Sequence, residues 1–450
     1  MTTHIETDTG KGSESDIGAL AWVGIFILVF QPSITFGLLG NVENFPWAII
    51  FAVSLFAFYR FLPNETPLLL LLFPWFLVPI AMGEAPFIVV RGAAAIINAI
   101  IFAFVVARLP NRYLDAAVTA AATVIGLNFF VGILQFYLPQ LWIHDLINVL
   151  VPRAQAYLSL NEGLMARGVS GLSSEPSRQA LDLCMLMLLL LVSRGSFRWY
   201  HILLDAVFIF FLLMMNRSFT SLGTLALLYG GYWISRIGRV PNGTGWQLAL
   251  IMGVSSVWII TSGILAELGA SSRALAILLQ TRSLEELWFI LVEHSGHKVA
   301  TQIAVYFNFS LFGSGFGGSP EVVAGGIDSL KLTPFYNWHM RNFHFIDFRP
   351  PSFWTGCLAE VGVVGLCILL LVIGSSLRRL QVRLTVENFF LLALPLFSLF
   401  AMGDIGSPMP LTVIFLVFRL LARDSSIDAI TNRDPQIRCD EGKSSGKLAG

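Results

Sequence analysis

Apolar runs of about 20 residues, repeated along the whole chain, constrain this sequence more than any other feature. Of its 450 residues, 56% are hydrophobic and only 12% are charged. A soluble protein of this size carries about 25% charged residues. Lipid leaves a spanning backbone no water to bond with, so each run has to satisfy its own amides as a helix. The expected fold is an all-α polytopic integral membrane protein.

At about 20 residues per crossing, about twelve transmembrane helices are expected. They fall at 17–38, 45–62, 67–83, 86–107, 112–137, 178–193, 200–216, 218–235, 246–266, 351–376, 385–403 and 408–423. The third is short and holds Pro74 and Pro79, which neighbouring helices have to accommodate. Residues 1–16 form a polar, acidic tail unlike a cleavable signal peptide. Residues 17–423 form one transmembrane domain, and 424–450 a second, disordered tail.

Lys and Arg in the short loops set the orientation. Arg60, Arg108, Arg112, Arg194, Arg198, Arg236, Arg239, Arg378, Arg379 and Arg383 all fall on one side under this count, with the basic C-terminal tail. That side is the cytoplasm, and both termini lie there. Two long connections, about 138–177 and 267–350, then lie outside. The first contains a possible interfacial helix, Leu141 to Leu150. The second contains an apolar stretch, Val299 to Phe312, suited to lying along the membrane or dipping into it.

The net charge is zero, so no nucleic-acid partner is implied. Cys184, Cys357, Cys367 and Cys439 show neither metal spacing nor a disulfide pattern. No metal and no cofactor is expected.

The outer segments are nonetheless rich in cations. Arg91 sits near the outer end of the fourth span and Arg217 in a tight outer turn. The first long loop adds Arg153, Arg167 and Arg178, and the second adds Lys298, Lys331, Arg341 and Arg349, with His294, His297, His339 and His344. A solvated, salt-bridged loop surface accounts for any single one of these. It accounts less well for Arg91, Arg178 and Arg217, because cations at helix boundaries are costly unless paired or snorkelling. Arginine's planar fork suits phosphate oxygens.

The polar stretch Arg167-Gly-Val-Ser-Gly-Leu-Ser-Ser-Glu-Pro-Ser-Arg-Gln-Ala180 runs directly into an apolar helix. A helix starting at the Pro176–Ser177 step offers free N–H groups to an anion. Glu175 is a candidate general base if burial raises its proton affinity, or a helix-start acid stabilised by the dipole. Glu360 falls near the middle of the tenth span, where an ionisable group is either functional or a structural partner. Gly313-Ser-Gly-Phe-Gly-Gly318 has no preceding strand and no following Lys-Ser/Thr, so it reads as a close-approach turn rather than a nucleotide loop.

Four segments resemble the O-antigen polymerase and O-antigen ligase superfamily of bacterial envelope glycan enzymes. They are Arg167 to Ala180, Asn216-Arg-Ser-Phe-Thr-Ser221, Leu311-Phe-Gly-Ser-Gly-Phe-Gly317 and Leu358-Ala-Glu-Val-Gly-Val-Val-Gly365. Together they span about 167–366. The resemblance implies a GT-C-like membrane architecture and an inverting, metal-independent glycosyltransferase. Such an enzyme moves a glycan from undecaprenyl pyrophosphate to an acceptor sugar hydroxyl at the outer face of the inner membrane. A chain-length regulator is an implied partner. Arg91, Arg167, Arg178, Arg217, Lys298, Arg341 and Arg349 would contact pyrophosphate or glycan, and Glu175, His344 and Glu360 compete as the base. The ligase-type His-Asn pair before the family glutamate is absent, since Pro351 stands there. This favours a polymerase over a ligase. A transporter or flippase for lipid-linked glycan is the alternative of another class, distinguished by ionisable groups near the bilayer midplane.

The orientation has a direct check. Reporter fusions at Gly163 and Gly325 should both report from outside the membrane, and a cytoplasmic signal from either contradicts the assignment.

Overall fold

The computed structural model describes residues 12–31, 33, 66–141, 143–151, 168–194, 199–216, 218–237, 283, 297–330, 350, 352–380, 382, 385–402 and 406–433. The second and ninth expected spans lie outside them. Every regular element among the described residues is helical.

The helices are, in order, α1 (Gly12–Phe30), α2 (Phe73–Ala81, entered through a 3-10 turn Thr66–Leu72), α3 (Pro86–Arg108), α4 (Arg112–Tyr137) and α5 (Ile143–Leu150). Then come α6 (Pro176–Ser193), α7 (Trp199–Phe210, continued by a π-helical turn Phe211–Asn216), α8 (Phe219–Ile237), α9 (His297–Asn308) and α10 (Ser319–Ser329). The last are α11 (Phe353–Glu360), α12 (Gly362–Arg378), α13 (Val386–Leu391), α14 (Ala393–Phe397, followed by a π-helical turn Ser398–Met402) and α15 (Met409–Arg433).

Four of these elements are long and apolar enough to cross a membrane: Pro86–Arg108, Arg112–Tyr137, Pro176–Ser193 and Trp199–Asn216. They match the fourth to seventh expected spans. Their starts have local causes. Pro86 and Pro176 each occupy the first turn, where the missing N–H costs nothing. Pro110 ends α3, because the residue before a proline avoids the helical region. The exposed faces are apolar too. Ile202, Leu203, Val207 and Phe210 on α7, and Leu127, Phe130 and Ile133 on α4, stand outward. Lipid is the solvent that suits such faces.

Three expectations need correction. The tenth span is not continuous: α11 ends at Glu360, and Gly362, the first residue of α12, takes φ +67°. The eleventh divides into α13, α14 and the π-helical turn. The helix expected to end at 423 runs on to Arg433, so the C-terminal tail is helical at its start. The physical reason for the first break is the left-handed Gly362, which no continuous helix accommodates.

Side-chain contacts fix the helix directions. Trp22 and Tyr113 lie 5.9 Å apart and Asn128 Nδ2 donates to Gln31 Oε1 at 2.7 Å, so α1 runs parallel to α4. Phe104 meets Phe415, and Arg419 donates to Ala107 O, Leu109 O and Asn111 Oδ1 at 2.9, 2.6 and 2.8 Å. So α3 and α15 run together, opposite to α4. Arg423 pairs with Asp115 at 2.8 Å on the same level. The bundle therefore has an arginine end, holding Arg108, Arg112, Arg419 and Arg423. The start of α3, the end of α4 and the start of α6 all lie at the opposite end.

Candidate functional site

Two clusters occupy that opposite end, and each joins two of the four segments singled out in the sequence.

The first is built around residues 168–175, an irregular stretch that leads into α6. Val169 to Ser174 are all buried. An irregular buried backbone has to find partners outside itself, and here side-chain amides supply them. Gln135 brackets Gly171, accepting from its N–H at 2.8 Å and donating to its carbonyl at 3.0 Å. Asn128 Oδ1 accepts from Leu172 N at 3.0 Å, and Gln31 Nε2 donates to Leu172 O at 2.7 Å. Ser33 Oγ accepts from Ser174 N at 3.2 Å. On the other side, Val169 N donates to Met215 O at 2.9 Å.

Asn216 closes this cluster. It is fully buried at the end of the π-helical turn. Its Nδ2 donates to Pro176 O at 2.8 Å and approaches Val169 O at 3.3 Å. Its Oδ1 accepts from Ser221 Oγ at 2.6 Å and Ser218 N at 3.3 Å, an Asx turn that leads into α8. Gly168 takes φ +78°, and a Cβ there would overlap the Asn216 carbonyl. The first two sequence segments are thus in contact through Gly168 and Asn216.

Glu175 stands at the N-cap of α6 with extended backbone. It does not cap an N–H; its Oε2 accepts from Ser177 Oγ at 3.2 Å. It is half-buried. Arg178 pairs with Asp182 one turn along, Nε to Oδ2 at 3.8 Å.

The second cluster is built around Glu360, which is 0% exposed. Ser319 Oγ donates to its Oε1 at 3.1 Å. Its backbone carbonyl, freed by the helix break, accepts from Gly315 N at 2.8 Å. Ala359 O accepts from Ser314 N at 3.0 Å, and Val364 N donates to Leu311 O at 3.1 Å. The glycine-rich turn therefore satisfies the broken helix, and the third and fourth segments meet. The same turn is pinned from α2, where Phe316 N donates to Trp75 O at 3.2 Å and Trp75 Nε1 to Phe312 O. Gly92 of α3 abuts Gly317 and lies against Glu360 Oε2. It is six residues into α3, about 9 Å from its start. Glu360 is thus nearer the end of the bundle than its place in a continuous span implied. Arg91, half-buried, is the residue before Gly92.

Of the remaining sequence candidates, Arg167, Arg217, Arg341, His344 and Arg349 lie outside the described residues. Lys298 is in α9, and its side chain also lies outside them. The residues that the sequence did not single out are Gln31, Asn128, Gln135 and Ser319, and Asn216 stood there only as the first residue of the second segment. For the amides the signal was present: uncharged amides inside apolar spans, where each needs a polar partner.

No family model, curated protein or solved structure matches this chain.

The contact geometry makes a stability prediction. Gly168→Ala and Gly362→Ala place a Cβ at positive φ and into backbone, so each should cost about 2 kcal/mol or more. Gly24 and Gly126 have open space around their Cα atoms, so alanine there should leave the melting temperature in detergent unchanged or slightly raised. Equal melting temperatures for all four variants would contradict these contacts.

Proposed function

We propose that this chain is a polymerase of lipid-linked polysaccharide repeat units in a bacterial inner membrane. It transfers a growing glycan from undecaprenyl pyrophosphate to an acceptor sugar hydroxyl, with inversion and without a metal. The observation that carries the reading is the pairwise meeting of the four family-like segments at one end of the helical bundle. In this reading the arginine end faces the cytoplasm and the two clusters face outward.

The division of labour is part of the proposal. Gly168 and Asn216, which touch, are the sequence neighbours of Arg167 and Arg217. Those two arginines grip the pyrophosphate, and Arg178 and the first N–H groups of α6 assist. Cations held there stabilise the charge that develops on the departing pyrophosphate, where preorganisation acts most strongly. Glu175 is more accessible than Glu360, the other candidate carboxylate, and takes the acceptor proton. Glu360 is enclosed and holds the glycine turn against α3. Arg91, Lys298, Arg341 and Arg349 contact glycan or phosphate, with His344 as the rival base.

A second reading, a flippase or transporter, draws on the helix break at Glu360–Gly362. Broken helices with an ionisable group at the break are common at transporter sites.

One reconstitution separates the two. Purified protein in liposomes with undecaprenyl-pyrophosphate-linked repeat units should yield longer glycans and free undecaprenyl pyrophosphate. Arg167→Ala and Arg217→Ala should each lower that rate by about 100-fold or more. Normal elongation in both variants removes the phosphate clamp. Movement of the lipid-linked glycan between leaflets without elongation supports the flippase instead.

A further inference from the structure

Asn216 does two jobs at once. Its carbonyl oxygen shapes the turn into α8 through Ser218 N and Ser221 Oγ, while its amide group reaches across to Pro176 O and Val169 O. The first job is local and structural. The second ties the end of α7 to the start of α6 and to the irregular stretch before it. We propose that Asn216 is a positioning residue for the transfer reaction, its amide holding the 168–175 stretch and the first turn of α6 in register with the 216–221 turn. This rests on the polymerase reading above.

Several features make the tether specific. Asn216 has no exposure, so water does not compete for its amide. Val169 N donates to Met215 O next to it, and Gly168 leaves room for the Asn216 carbonyl, so backbone and side chain close the same gap. The π-helical turn that delivers Asn216 is itself anchored: Phe211 stacks on Phe129 with centroids 4.1 Å apart, and packs against Gly132. A π-helical turn is an uncommon conformation that recurs at functional sites. Here it ends at the residue whose amide spans the two segments. Groups that stabilise a departing pyrophosphate need fixed relative positions, and misplacement by about 1 Å costs about 100-fold in rate.

The two jobs can be separated by Asn216→Asp. Aspartate keeps the oxygen acceptor for Ser218 N and Ser221 Oγ, but it has no amide to donate to Pro176 O, Val169 O or Gln179 Oε1. The expected result with reconstituted full-length protein is a lowered melting temperature, because a carboxyl group now faces buried carbonyls, so activity is compared well below the midpoints of both proteins. The kcat for elongation should fall about tenfold to 100-fold, KM for the lipid-linked donor should change less than about threefold, and amide hydrogen exchange across 168–175 should be faster. Gly126→Ala, on α4 with open space around it, should keep the wild-type kcat. An Asp variant with wild-type kcat and unchanged exchange, in the presence of an active wild type, overturns the positioning role alone. A wild-type protein that elongates nothing overturns the polymerase reading and the positioning role with it.

Discussion

A backbone that leaves the helix inside an apolar, water-poor body has to find a partner for every N–H and C=O it exposes. That constraint organises both ends of the candidate site. The 168–175 stretch meets it by recruiting amides from several helices: Gln31 beyond the end of α1, Asn128 and Gln135 from α4, and Asn216 from the end of α7. The break between α11 and α12 meets it with backbone, since the glycine turn returns hydrogen bonds to Ala359 O and Glu360 O. Neither arrangement tolerates a shift of one element alone. Rotating α4 would strip Gly171 and Leu172 of partners together.

This coupling has a functional consequence. Groups attached to these two irregular segments are held by several helices rather than by loop residues alone. Glu175 sits at the N-cap of α6 because Pro176 starts the helix there, and its Ser177 contact orients it locally. Arg91 is placed by the packing of Gly92 on Gly317, which ties α3 to the glycine turn. A site built this way is held in place by several helices, and the proposed transfer would draw on that preorganisation.

Much of the helical frame was legible in the residues. Pro86, Pro110 and Pro176 mark the ends of α3 and the start of α6, and the apolar runs between them are long enough to leave little choice. The helix break at Gly362 was not legible. Leu358 to Gly365 is apolar except for Glu360, and a glycine in such a run is common in membrane helices. Only its positive φ, set by contact with the distant turn at 311–313, reveals the break. The amide clasp was missed for another reason. A search for chemistry that weighs charges passes over Asn128, Gln135 and Asn216, yet in lipid an uncharged amide also needs a polar partner. The convergence of the four segments follows from tertiary contacts between residues tens of positions apart, which no local pattern encodes.

The closure of the 168–175 stretch onto the end of α7 is the contact on which the account stands. It is tested most directly by a cysteine pair, Val169→Cys with Met215→Cys, in a chain whose own four cysteines are replaced. Val169 N and Met215 O are 2.9 Å apart, so the two positions are near neighbours. A short bifunctional thiol crosslinker, added to native membranes, should link them nearly completely. Two uncrosslinked thiols that both remain reactive, in a chain that still inserts, would contradict the closure.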